Sequence, residues 1–348
     1  MSRIYRKLVL GLLFISAYPS TTYAQTESEF DILINQAVQA TDDALITVGY
    51  IENGESDYAV YTNKGISVSN TLHDYEVGSI TKTFTGALIA QAAEEEKLDI
   101  DDSIQDYLDL PKDREYPTIR QLLTHTSGYP TFFENDILIG NLTQGINPYH
   151  GITREMMVEE VIANPTTSGE QAFQYSNFNA GLLGLVLESV YGSTYSELVY
   201  AYASEDLDLS DTYLFEEETQ LGNNWIWSEQ DAYAPAGAMI SNIEDMLLYS
   251  ELQLDGQVAH ESLAQVNATT GDNGQVGIRI DDVGYQWMIN QEHNIIWHDG
   301  GTGGYTSYIG FNKEEQVAVI VLSNVPMDQG IPSNLIGSVL LMEMLGEI

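Results

Sequence analysis

The order of its patterned segments constrains this chain more than any other feature: strand-like runs stand at both ends and helical spacing fills the middle. Leu45 to Ile51 and Tyr58 to Tyr61 flank Asn53-Gly54, a dipeptide suited to a two-residue hairpin turn. Strand-like runs return near the C-terminus at Gly284 to Asn290, Ile295 to His298, Tyr305 to Phe311 and Val317 to Ser323. Between them, apolar residues recur at helical spacing in Thr81 to Lys97, Ile119 to Thr124, Thr153 to Ala163, Asn177 to Tyr191, Tyr195 to Ser204 and Ile243 to Leu254. Amphipathic Phe30 to Val38 and apolar Ser333 to Leu345 predict helices near the two termini. Strands remote in sequence must pair to bury their apolar faces. The pattern therefore predicts an α/β (α+β) fold with one antiparallel sheet built from both termini and flanked by helices. Residues 25–100 and 241–348 form that lobe, and 101–240 form an inserted, mostly helical lobe of the same catalytic unit. A cleft between the lobes is the expected place for a site.

The first 24 residues are set apart from this scheme. Arg3, Arg6 and Lys7 precede an apolar run from Leu8 to Ala17, and Thr22-Tyr23-Ala24 offers small residues for cleavage before Gln25. This order predicts a signal peptide cut after Ala24, and so a periplasmic or secreted protein, rather than an uncleaved amphipathic N-terminus. The run is short for a bilayer span, and no later segment is long and apolar enough, so no membrane insertion is expected after cleavage. The chain has no cysteine, which excludes disulfides, thiol nucleophiles and thiolate metal sites.

Charge narrows the partners. Twelve Lys and Arg stand against 52 Asp and Glu, a formal net charge of -40, and loss of the three basic leader residues makes the imbalance larger. Such a surface repels nucleic acid and anionic membranes, leaving a small-molecule or peptide substrate as the expected partner. The runs Glu94-Glu95-Glu96 and Glu216-Glu217-Glu218 read as solvated faces. The acids are dispersed and show no EF-hand spacing, so no metal and no cofactor are expected. The charge fits a saline habitat, where screening shortens self-repulsion. Nothing in the pattern specifies an oligomeric state.

Three short segments carry chemistry. Gly78-Ser79-Ile80-Thr81-Lys82 opens an alanine-rich helix, and residues three apart share a helix face, so the Lys82 amine can reach the Ser79 hydroxyl. A serine hydroxyl needs such a base to become a nucleophile. The Ser79 N–H at the helix start can donate to a developing oxyanion, and Gly78 would leave room for substrate. Tyr175-Ser176-Asn177 precedes another helix, with a phenol to relay a proton and an Asn177 amide to orient substrate or Lys82. His298-Asp299-Gly300-Gly301 closes a strand-like run. Its glycine would let substrate lie along the strand edge, with the Gly301 N–H as a second oxyanion donor. Taken singly, each segment reads equally as a capping serine near a surface lysine, a core tyrosine or a turn histidine.

In this order, Ser-x-x-Lys, Tyr-x-Asn and a basic residue-x-Gly resemble the serine beta-lactamase and penicillin-binding protein superfamily, most closely its class C beta-lactamase-related branch. Leu122-Leu123-Thr124-His125-Thr126-Ser127-Gly128, Pro235 to Ser241 and Trp297 to Asn324 are also similar to that branch, so the likeness runs from about residue 40 to 345. The resemblance implies a beta-lactamase/transpeptidase-like fold. It implies Ser79 as the acylated nucleophile, with Lys82 and Tyr175 as the catalytic proton carriers. It further implies Asn177, His298 and Gly300 as substrate-binding residues, with the Ser79 and Gly301 amides as the oxyanion hole. His125 reads as structural.

One departure bears on substrate. Class C beta-lactamases carry Lys-Thr-Gly where this chain has His298-Asp299-Gly300, replacing a cation by a largely neutral imidazole and a hydroxyl by an acid. The expected activity is hydrolysis of D-amino-acid peptides or amides, esters, or beta-lactam-like compounds. The alternatives are a carboxylesterase of the same family and a penicillin-binding protein acylated without efficient turnover.

Overall fold

The computed structural model describes residues 28–67, 72–166, 169–214, 221–269 and 277–348. The leader-like segment through Ala24 and the run Glu216-Glu217-Glu218 lie outside the described residues. The elements in chain order are α1 (Glu29–Ala37), β1 (Leu45–Glu52), β2 (Glu55–Thr62), β3 (Gly65–Ser67), β4 (Tyr75–Glu76) and α2 (Thr81–Glu94), the last entered through a 3₁₀ turn at Gly78–Ile80. Then come α3 (Ile119–Leu123), α4 (Asp136–Gln144), α5 (Arg154–Ala163), α6 (Asn177–Tyr191), α7 (Tyr195–Tyr200) and α8 (Ala234–Gly237). The chain ends with β5 (Ile240–Ser241), α9 (Ile243–Leu254), β6 (Ala264–Thr269), β7 (Arg279–Gly284), β8 (Trp287–Asn290), β9 (Ile295–Gly301), β10 (Thr306–Asn312), β11 (Val317–Ser323) and α10 (Ser333–Leu345).

Nine strands form one antiparallel sheet in the order β3-β2-β1-β11-β10-β9-β8-β7-β6. The hairpin between β1 and β2 turns at Asn53 and Gly54, both with positive φ, as a two-residue turn requires. The two ends of the chain meet at β1 and β11, in a register running from Ile46 opposite Ser323 to Glu52 opposite Val317. On one face α1 and α10 bury Phe30, Ile34, Ile336, Val339 and Met342 against the strands. On the other face α9 lies against β1 at Gly49, where a Cβ would come within 2.7 Å of Ile243 Cδ1.

α2 is buried on all sides from Thr81 to Ala90, which marks it as the central helix of the second core. It packs against α6 and α8. Gly184 of α6 makes this possible, because a Cβ there would lie 2.2 Å from Pro235 Cγ of α8.

The segment Gly284 to Asn290 is not one strand. The chain reverses at Tyr285 and Gln286, both at positive φ, and so separates β7 from β8. Tertiary contacts hold this turn without glycine. Gln286 Nε2 donates to the Leu122 and Leu123 carbonyls at 3.0 and 2.9 Å. Tyr285 O approaches Gly86 so closely that a Cβ there would sit 2.0 Å away. Edge strand β6 and helix α4 were not anticipated, and Tyr195 to Ser204 leaves the α-helix after Tyr200 in a π-helical turn, Ala201–Asp206.

Candidate active site

Ser79 sits in the 3₁₀ turn that feeds α2, and Lys82 follows within the helix. The Lys82 side chain is fully buried. Its Nζ donates to Ser79 Oγ at 2.9 Å and to the Ala236 carbonyl of α8 at 2.6 Å. Burial drives the Lys82 amine well below its ordinary range, and the Asp299 carboxylate opposes this only in part. Removing an ammonium from water without a close counter-ion favours the neutral amine, which has a lone pair to offer.

Tyr175 stands just before α6, whose N-cap Ser176 is pinned by its Oγ donating to the Pro130 carbonyl at 2.6 Å. Lys82 Nζ lies 5.1 Å from the Tyr175 ring centre. Burial holds the Tyr175 phenol above its ordinary range, and a hydrogen bond with the Ser79 side chain works the other way. The three residues taken from the first two motifs are therefore brought together.

His125 joins them, more intimately than a merely structural reading anticipates. It has a positive φ of 57°, its ring lies 4.8 Å from the Tyr175 ring, and its Nδ1 accepts from the Ser176 N–H at 3.2 Å. An accepting Nδ1 places the ring proton on Nε2. Burial first, and then the neighbouring Lys82 and His298, which disfavour a further positive charge, lower the pKa of this imidazole well below the usual value.

His298 forms the facing wall, with its ring 6.1 Å from Tyr175. Its Nδ1 lies 2.6 Å from the Asp299 carbonyl oxygen, which can only accept, so the proton sits on Nδ1 and Nε2 is bare. Burial and the Lys82 charge push the His298 pKa down to about 3. The third motif is thus a neutral hydrogen-bond acceptor at ordinary pH. The His125 and His298 Nε2 atoms, one donor and one acceptor, are both buried without a hydrogen-bond partner among the described residues.

Asp299 leaves β9 on the opposite face from His298. Its Oδ2 accepts from Asn334 Nδ2 of α10 at 2.7 Å, and burial raises its carboxyl above the usual range. Arg279, the nearest arginine in sequence to the motif, is engaged by Asp281 and Glu292 at 2.7 and 2.6 Å.

The two glycines thought to make space for substrate do something else. A Cβ on Gly300 would lie 2.0 Å from Val77 O and 2.4 Å from Ser307 Oγ. A Cβ on Gly78, at φ 50°, would lie 2.7 Å from Gly301 N. Both glycines let the end of β9 close onto the turn carrying Ser79. The Gly301 amide nitrogen therefore lies close to Gly78, the residue before Ser79.

No hydrogen bond joins Asn177 to Lys82, whose Nζ partners are Ser79 Oγ and the Ala236 carbonyl. Asn177 Nδ2 donates to the Tyr149 hydroxyl at 2.7 Å, while its Oδ1 has no partner among the described residues. Tyr149 stacks on Tyr233 at 4.6 Å and meets Trp225 edge-on at 6.0 Å, so the Asn177 side of the site is an aromatic wall. The sequence reading missed this wall and the Ala236 carbonyl. Among the described residues no cluster of His, Asp and Glu is placed to hold a metal ion.

A nine-stranded antiparallel sheet between two helical layers, with a serine and a buried lysine opening the central helix, defines the beta-lactamase/transpeptidase fold class. The sequence matches the Beta-lactamase family over residues 46–330, and the chain belongs to that family, within the serine beta-lactamase and penicillin-binding protein superfamily. Protein flp of Staphylococcus aureus (strain MW2) is 24% identical over 332 residues, covering 86% of this chain; the chain spans 63% of the length of flp. A Beta-lactamase/D-alanine Carboxypeptidase from Yersinia pestis superposes with a TM-score of 0.70 at 20% identity, covering 93% of this chain and 100% of that one. A D-stereospecific amidohydrolase from Streptomyces sp. gives a TM-score of 0.65 at 21% identity, covering 90% and 97%.

Proposed function

We propose that this protein is a serine hydrolase that transfers an acyl group to Ser79 and then to water. The observation that carries this reading is the buried Lys82 amine 2.9 Å from Ser79 Oγ, depressed toward its neutral form. In this scheme Lys82 accepts the Ser79 proton as Oγ attacks the substrate carbonyl. The oxyanion collects at the Ser79 and Gly301 amides. Tyr175, linked to Ser79 and beside Lys82, returns a proton to the leaving group and serves the water that releases the acyl-enzyme.

The substrate classes this reading favours are amides or peptides of D-amino acids and short-chain esters, taken in their uncharged forms. The supporting feature is the third motif, where an uncharged acceptor stands at His298 and the nearest arginine is already paired. Beta-lactams, which carry a carboxylate, are expected to react slowly.

The test is intact-mass analysis after incubation with p-nitrophenyl acetate, a penicillin or a D-Ala-D-Ala peptide, followed by Ser79→Ala. An adduct that maps to Ser79 and disappears in the variant, with turnover beyond one equivalent, supports the reading. Activity retained above about 1% in Ser79→Ala overturns it, since loss of a nucleophile costs several orders of magnitude.

A further inference from the structure

Glu76 belongs to no motif, yet it is 3% exposed and lies only three residues before Ser79. It ends β4, which pairs Glu76 with Ile240 of β5. Its two carboxylate oxygens reach two different walls of the site. Oε2 accepts from Thr302 Oγ1 at 2.6 Å, and Oε1 accepts from the Trp225 N–H at 2.8 Å. Thr302 follows Gly301, whose amide nitrogen would lie 2.7 Å from a Cβ on Gly78, and its own N–H closes a turn onto the Tyr305 carbonyl at 2.9 Å. Trp225 faces Tyr149, the partner of Asn177, and its Nε1 sits where a Cβ on Gly303 would be 2.6 Å away.

Resting on the acyl-transfer reading of Ser79, we propose that Glu76 is a positioning residue that fixes the oxyanion side and the aromatic side of the site to the strand delivering the nucleophile. A carboxylate suits this role because each oxygen is an independent acceptor, so one side chain ties both segments to β4, beside the Tyr305 hydroxyl that joins them to each other by donating to the Gly222 carbonyl at 2.6 Å. The two donors are a hydroxyl and a backbone amide, with no cation among them, and burial accordingly lifts the carboxyl to about 7. The titratable neighbour that feels its charge is Tyr305, whose phenol is raised to about 12.

Three variants test the proposal. Glu76→Gln keeps an oxygen for the Trp225 N–H and presents an amide to the Thr302 hydroxyl, which can accept. Glu76→Ala loses both bonds. Thr302→Val loses only the bond on the oxyanion side. Backbone hydrogen exchange is followed over 222–227 and 302–305, with kcat and KM for p-nitrophenyl acetate. We expect Glu76→Ala to speed exchange more than tenfold in both segments and to cut kcat more than tenfold, Glu76→Gln to recover most of both, and Thr302→Val to act on 302–305 alone. Exchange in Glu76→Ala that matches the parent protein in both segments overturns the proposal, as does a Glu76→Gln variant no better than Glu76→Ala. A parent protein that fails to turn over the ester removes the acyl-transfer reading instead, and the exchange data still decide the role of Glu76.

Discussion

The imidazole of His125 lies against the ring of Tyr175, their centroids 4.8 Å apart and their planes at 39°, and its Nδ1 holds the amide of the next residue, Ser176. A residue that looks like part of a packing signature thus sets both the position of the phenol and the start of α6. Replacing it with Phe keeps a ring but strands the buried Ser176 N–H. An unsatisfied buried donor costs about 1–3 kcal/mol. His125→Phe should therefore unfold at lower denaturant by that margin and lose kcat with little change in KM. Unchanged stability together with unchanged kcat would show that neither contact matters.

Lys82 is costly to the fold. Its folded pKa lies below the unfolded value, so the unfolded state binds the extra proton and stability rises with pH between the two values. At neutral pH Lys82→Met removes this cost, and should raise stability by about 1 kcal/mol or more while lowering turnover at least a hundredfold. In the parent enzyme the acid limb of kcat/KM should fall well below the ordinary lysine range, with activity growing as pH rises and the amine deprotonates. Lys82→Arg should not rescue, because a guanidinium keeps its proton. Chemical denaturation and a pH–rate profile check these outcomes.

The third motif sets a preference for substrate charge. Burial holds the His298 pKa down at about 3, so it stays uncharged through the neutral range, and the nearest arginine in sequence, Arg279, is already paired. A neutral ester should show a higher kcat/KM than the matched carboxylate at fixed salt. Changing His298-Asp299 to Lys-Thr should narrow or reverse the difference by about tenfold, the worth of one partly screened charge contact. A parent enzyme that already prefers the carboxylate would contradict this account.

Gly300→Ala should be among the most damaging single substitutions. Its Cβ would meet Val77 O at 2.0 Å, and backbone cannot yield as a flexible side chain does. The expected result is loss of more than about 3 kcal/mol of stability or a separated oxyanion pair, read as a collapse of kcat in protein that still folds. Gly140→Ala, where a Cβ meets nothing within 4 Å, is the control.

Salt should raise both stability and activity from very low ionic strength, because a net charge of -40 repels itself and the screening length shortens to about 10 Å at 0.1 M. Greatest stability in dilute buffer would point to specific charge pairing instead.

Much of this was legible in the sequence where local pattern and tertiary role agree. The Asn53-Gly54 hairpin, the β11 run of apolar residues and the helix bounds of α6 and α9 follow directly from periodicity. The central helix and its Ser79–Lys82 spacing were equally plain. What escaped is set by distant contacts. Tyr285-Gln286 carries no turn chemistry of its own and is held by carbonyls of α3 and by the space over Gly86. β7 hid because Asp281 and Asp282 interrupt its apolar pattern; Asp281 Oδ1 accepts from Arg279, and Asp282 Oδ2 accepts from Ser262 and Gln291. Gly78 and Gly300 announce a close approach, but not whether ligand or backbone makes it. Glu76 and the aromatic wall belong to no recognisable spacing and acquire meaning only through distant residues, more than a hundred positions away for Glu76.

The junction of β1 with β11 has a consequence for how this molecule comes into being. Ile46 waits for Ser323, and every strand from β6 to β10 reaches β1 only through that last strand. During synthesis the N-terminal hairpin emerges early but has no neighbour on its inner edge until nearly the whole chain exists. Assembly is therefore late and governed by distant pairings, a topology that folds slowly. A chain cut short after β10 would keep the serine, the lysine, the tyrosine and the histidine, and still lack the strand that joins the two parts of its sheet.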